Sequence, residues 1–164
     1  MEESTYDRLF SLAEAARDAL DAHEQQAFLP EIARRLSERT GKPEKPLSTT
    51  ECHVLDRIWK GTTTAARIAE SLGMTRGGVS KAVAKLEAKG FLASERSAES
   101  AREVVLSLTP RGQIACEEHA QMRLEAARLW SQRLSGFTEE EIELACRFLE
   151  AVAQADGEKQ APRA

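Results

Sequence analysis

Two sets of side chains in this sequence have types and spacings that could do chemistry. The first is Thr75, Arg76, Gly77, Ser80, Lys81 and Lys85. Wound as a helix, this stretch points Val79, Val83 and Leu86 inward. Arg76, Ser80 and Ala84 then line one outward row, and Gly77, Lys81 and Lys85 line the next. Arg and Lys donate to guanine edges or phosphate oxygens, and small residues at 77, 78 and 84 let such a face approach a duplex closely. A charged row alone also describes any solvated helix. It becomes informative here because Arg96 and Arg102 follow at the predicted tip of a hairpin, which would set cations beside both grooves of DNA.

The second set gathers the histidines with other potential ligands: His23 beside Glu24, Cys52 beside His53, and Cys116 three residues before His119. On a helix Cys116 and His119 share a face, a geometry usable for one metal ion. Cys52 and His53 are adjacent and point about 100° apart, so both do not readily serve one ion. Two other readings stand beside a metal site. The thiols are small core residues with His53 and His119 lining a cleft, or they belong to a redox or organic-ligand switch. Cys146, next to Ala145 on an apolar stripe, reads as packing.

These residues need a scaffold, and composition says which kind. With 30% charged and 5% aromatic residues in 164, the chain favours helices over a large sheet, and it is long enough for one domain with a core or a small domain plus dimerisation helices. No apolar run of membrane-spanning length occurs and the N-terminus is acidic, so a cytoplasmic protein without a membrane partner is expected. Three cysteines, an odd number, suit free thiols better than a disulfide framework. The net charge of −4 conceals an asymmetry: residues 74–111 hold seven Lys or Arg (76, 81, 85, 89, 96, 102, 111) against four Glu (87, 95, 99, 103). No nucleophile elbow, phosphate-binding glycine loop or HExxH helix is present, so an enzyme is not expected.

Along the chain, Ser4 or Thr5 opens a helix from about Tyr6 to Ser37 with a stripe of Leu9, Leu12, Ala16, Ala19 and Leu20, interrupted at Pro30. The segment TGKPEKPL reads as a linker. Ser48 and Glu51 form a capping box for a helix bearing Val54, Leu55, Ile58 and Trp59. Thr63 or Thr64 caps a short helix ending at Gly73, and Thr75 starts the helix that stops at Gly90. Phe91 to Glu95 and Glu103 to Leu108 read as a hairpin. Thr109-Pro110 begins a long helix to about Leu134, Gly136 breaks it, and Thr138 with Glu141 caps another carrying Ile142, Leu144, Phe148, Leu149 and Val152. The tail DGEKQAPRA is expected to be disordered. The expected fold is mainly α: a winged helix-turn-helix with a small β-hairpin wing and N- and C-terminal helices, to which the family resemblance described next gives a dimerisation role. Its divisions are 1–39 for the N-terminal helix region, 40–47 for the linker, 48–109 for the DNA-binding core, 110–155 for the C-terminal helices and 156–164 for the tail.

With those pieces in place, the run from Leu47 to Glu118 resembles the winged-helix core of MarR-family regulators. The resemblance rests on LSTTE, on IAESLGMTRGGVSKAVAKLEAKGFL and on LTPRG. It implies a homodimeric transcription regulator, a repressor in the simplest form, on a pseudo-palindromic double-stranded operator. The family's wing carries Asp-x-Arg, whereas this chain has Ser100-Ala101-Arg102, keeping the Arg and losing the carboxylate. The Cys/His set is similar to that of the zinc-responsive branch. His53 and His119 match ligand positions there, Glu24 matches if the linker is an insertion, and Arg123 stands where that branch has a second His. The resemblance thus implies zinc or a small effector as a further partner. The competing reading is a winged-helix module that binds metal or protein without using DNA.

Overall fold

The computed structural model describes residues 4–96 and 104–158. Helix α1 (Thr5–His23) opens at Ser4, whose hydroxyl accepts from the Tyr6 N–H at 3.3 Å. The interruption expected at Pro30 is a widened turn and not a break. A π-helical turn, Glu24–Phe28, joins α1 to α2 (Leu29–Thr40), and the backbone stays right-handed through His23, Phe28 and Leu29. Pro30 falls in the first turn of α2, where a missing N–H and a fixed φ are tolerated. The helix runs past Ser37 to Gly41, whose φ of 68° closes it in the left-handed region.

Helix α3 (Thr49–Trp59) has the expected reciprocal cap: the Glu51 N–H donates to Ser48 Oγ at 3.3 Å and the Ser48 N–H to Glu51 Oε2 at 2.7 Å. Trp59, expected on its apolar stripe, remains 45% exposed. Before α4 (Ala65–Ser71) Thr64 holds the expected cap position, its carbonyl accepting from the Ile68 N–H at 3.0 Å, but it makes no side-chain cap bond. The Thr63 carbonyl accepts from the Leu106 N–H at 2.7 Å, so this segment is held extended against the wing.

Gly73 (φ 60°) turns the chain into α5 (Arg76–Ala88), where Thr75 Oγ1 accepts from the Gly78 N–H at 3.1 Å. Strands β1 (Leu92–Arg96) and β2 (Val104–Leu108) pair antiparallel, with Leu92 opposite Leu108 and Arg96 opposite Val104; β1 starts one residue after the expected Phe91 and extends one past Glu95. Arg102, with Glu99 and Glu103, lies outside the described residues. Helix α6 (Pro110–Arg133) is capped by Thr109 and α7 (Glu139–Glu158) by Thr138, each as its sequence motif predicts. The expected tail begins too early: α7 continues through Asp156, Gly157 and Glu158, since helix ends fray and do not stop at a change of polarity. Residues 159–164 lie outside the described residues.

One buried cluster ties these elements together. It takes Leu29, Ile32 and Leu36 from α2, Val54, Leu55 and Ile58 from α3, Ile68 from α4, and Val79 and Leu86 from α5. Phe91, Leu106 and Met122 complete it. The mainly helical fold with a two-stranded wing is the expected one. Helix α1 buries no side chain, and Leu9, Phe10, Leu12 and Leu20 stand exposed on it. Leu124, Leu129 and Trp130 of α6 and Leu144, Leu149 and Val152 of α7 are likewise uncovered, and so is Cys146. Among the described residues no helix is long and apolar enough to cross a membrane.

Candidate nucleic-acid interface

Helix α5 divides sharply by burial. Val79 and Leu86 are fully buried and Ala82 and Val83 nearly so, while Arg76, Gly77, Ser80, Lys81, Ala84 and Lys85 are exposed. The 3.6-residue period therefore places both outward rows where the sequence predicts them. Arg76, Lys81 and Lys85 form no ion pair with any described residue. On α2, by contrast, Arg34, Arg35 and Arg39 all pair with glutamates. The positive charge of α5 is thus available to an external anion. Thr75, exposed at the helix start, spends its oxygen lone pair on the cap. In the wing, Leu92 and Leu106 face the core and Arg96 is exposed at the far end of β1.

Two of the seven cations counted in residues 74–111 do not belong to this surface. Lys89 Nζ donates to both oxygens of the buried Glu51, at 2.8 and 2.9 Å. The Arg111 guanidinium bonds to the Glu44 carboxylate and to the Lys89 carbonyl, and stacks over Phe91 with Cζ 4.4 Å from the ring centroid. Sequence reasoning counted both as surface charge and missed their partners, which lie 38 and 67 residues away. The legible signals were Glu51 in a capping box and Arg111 directly after Pro110 in the first turn of a helix.

The Cys/His set converges only in part. Cys52, Cys116 and His119 line one cavity of about 440 Å³ between α3 and α6, together with Leu55, Trp59 and Arg123. His53 is exposed, and Glu24 sits half-buried in the π-turn. Among the described residues no three His, Cys, Asp or Glu side chains form a group able to hold a metal ion. Burial first, then the nearby carboxylates of Glu24 and Glu51, pushes the Cys52 thiol up to about 12. Burial, then Asp56, does the same for Cys116, also to about 12. In the metal-free protein both are therefore thiols near neutral pH. His119 is held below its ordinary value by burial and then by the Arg123 charge, and its ring meets Phe28 edge-on at 5.5 Å. The cavity thus brings together two thiols and one imidazole of the candidate set, while His53 and Glu24 do not line it.

Residues 46–103 match the model of the MarR family. Over 108 residues the chain is 30% identical to the transcriptional regulator ZitR of Lactococcus lactis, covering 66% of this chain and 74% of that one. A crystal structure of ZitR, described as a zinc-responsive MarR family member, superposes with a TM-score of 0.56 at 29% identity over 68% of this chain and 77% of ZitR. A ZitR mutant has also been solved in complex with DNA, with a TM-score of 0.56 at 30% identity over 66% of this chain and 75% of that one. The adhesin competence repressor of Streptococcus pyogenes shares the fold across 94% of this chain and 98% of its own length, with a TM-score of 0.66 at 20% identity.

Proposed function

Because the chain belongs to the MarR family of transcription regulators, we propose that it works as a homodimer that binds double-stranded DNA in a sequence-specific way and represses transcription from a pseudo-palindromic operator. The observation that carries this reading is the cationic face of α5, unpaired among the described residues and held on a core that buries its other side. In such a helix-turn-helix the N-terminal half of the second helix lies nearest the base edges. Arg76 then reads bases, Lys81 and Lys85 meet phosphates, Ser80 and the Thr75 hydroxyl donate along the backbone, and Gly77 lets the duplex come close. Arg96, and Arg102 beyond the described residues, serve the neighbouring minor groove.

A second copy of the chain is the partner for the uncovered apolar faces of α1, α6 and α7, which exceed what an isolated soluble protomer exposes. Residues 48–109 are thus proposed as the DNA-binding unit, with 1–39 and 110–155 as the dimerisation parts. The α3–α6 cavity is of a size that takes a small organic molecule. We assign it to an organic effector, because its lining is mainly apolar and, among the described residues, no three potential ligands converge to hold zinc, the metal to which ZitR responds.

Fluorescence anisotropy on a duplex selected from a random library, repeated at rising salt, tests the reading. Four described cations per protomer give eight per dimer. The slope of log K against log salt should therefore lie near about −7 if all meet phosphate, and no shallower than about −4 if half do. Binding that ignores salt, or a protein that selects no sequence, would leave a metal- or protein-binding module instead.

A further inference from the structure

We propose that a half-buried double ion pair, Glu44–Arg111 and Glu51–Lys89, is a positioning clamp that fixes the C-terminal end of α5 and so sets the angle at which this helix meets DNA, an inference that rests on the DNA-binding reading above. Lys89 caps α5 and is held from two sides. Its ammonium lies on Glu51, the residue that also caps the start of α3. Its carbonyl accepts from Arg111, in the first turn of α6. Arg111 is in turn held by Glu44 of the linker, and the Glu44 N–H donates to Ser37 Oγ of α2 at 2.9 Å. Four segments that do not face DNA therefore converge on the one residue where the recognition helix ends.

Two features distinguish positioning from plain stabilisation. The carboxylates of Glu44 and Glu51 are each only 4% exposed, whereas the Lys89 and Arg111 side chains are 37% and 36% exposed, so the desolvation cost of each pair falls on the acid. Yet Glu44 Oε1 and Arg111 Nε are buried without a hydrogen-bond partner among the described residues, so the outer pair is not built for maximal stability. What it supplies is direction, since a guanidinium fixed by a carboxylate, a carbonyl and an aromatic face has one orientation. Among the described residues the opposite end of α5 has no comparable anchor. It follows a short turn from α4 and is capped by its own Thr75. A helix seated on one apolar stripe can rock about that stripe unless an end is pinned.

The test compares wild type with Glu44→Gln, which keeps volume and removes charge, and with Glu51→Gln as the second variant. Two duplexes are used at one fixed salt concentration, one selected by wild type from a random library and one of scrambled sequence, and amide hydrogen exchange at Gly90 and Phe91 is followed in parallel. For Glu44→Gln we expect affinity for scrambled DNA and the salt slope to stay within about twofold of wild type. Preference for the selected duplex should fall by about tenfold, and the two amides should exchange at least about tenfold faster. Equal loss on both duplexes, or unchanged preference whatever the exchange rate, overturns the clamp. A wild-type protein that selects no sequence overturns the DNA reading, and the clamp with it. Should Glu51→Gln unfold through loss of its helix cap, Glu44→Gln alone decides.

Discussion

Replacing Gly112 by alanine should destabilise this protein, although alanine is the better helix former. Gly112 is the third residue of α6, at the point where that helix crosses the backbone leaving α5. A Cβ built there would lie 2.1 Å from the Phe91 carbonyl oxygen, 3.1 Å from its carbon and 3.3 Å from Leu108 Cδ2. Relaxed van der Waals contact needs about 3.5 Å, so α6 and the root of the wing must separate by about 1 Å or more. Phe91 cannot yield, since its ring is buried, its carbonyl accepts from the Thr109 N–H at 3.1 Å, and Arg111 stacks over it. Overpacking of this kind costs about 1–3 kcal/mol, and straining the Thr109 bond adds about 1 kcal/mol. Helix propensity returns up to about 1 kcal/mol. The net is a loss of about 2 kcal/mol, or about 4–8 °C in Tm at fixed protein concentration. Gly77→Ala is the control, since nothing lies within 4 Å of its Cβ and it sits inside α5. It should gain about 0.5–1 kcal/mol. Thermal and urea unfolding followed by circular dichroism reads both, and a Gly112→Ala protein as stable as wild type would refute the packing argument.

The DNA contacts separate by role: Arg76→Ala should relax base preference, whereas Lys85→Ala should weaken selected and scrambled duplexes alike, both read by anisotropy. Lys89→Met leaves the Glu51 carboxylate buried without its cation and should cost about 3 kcal/mol in urea unfolding. Burial pushes the Glu51 carboxyl up, but the Lys89 hydrogen bond and the Ser48 N–H together outweigh it and hold it below its ordinary 4.5. Its contribution is therefore present above that pH and lost as pH falls further, and melts of the wild type below pH 4.5 should show this loss, which Lys89→Met lacks. His119 is lowered from 6.5 by burial, so the unfolded chain takes up a proton first and stability falls as pH drops below that value. His119→Leu should flatten this dependence in unfolding measured between about pH 7 and 5.5. With a disulfide reagent at about pH 8, no more than one thiol, that of Cys146, should react in the native protein and all three in urea, because Cys52 and Cys116 are buried and protonated.

Periodicity and punctuation determined most of the scaffold without help. The spacing of Val79, Val83 and Leu86 oriented α5 because a helix has one period and a core needs one apolar face. Ser48, Thr75, Thr109 and Thr138 marked helix starts because each caps through a bond to an N–H two or three residues on, which is local chemistry. Thr64 marks its helix start without a side-chain bond, and the bond between the neighbouring Thr63 carbonyl and Leu106 of the wing, far along the chain, was not legible in the sequence. The same division runs through the charges. Which cations exist was written in the chain. That Lys89 and Arg111 are spent on Glu51 and Glu44, while Arg76, Lys81 and Lys85 find no partner among the described residues, was decided only when the linker folded back over the ends of α5 and α6. Likewise Cys52 joined Cys116 and His119, already on one face of α6, only through the packing of α3 on α6, and burial then set their protonation. Short-range order follows from bond geometry and solvent, whereas partner choice between distant charges depends on desolvation, which exists only once the tertiary structure has removed the water.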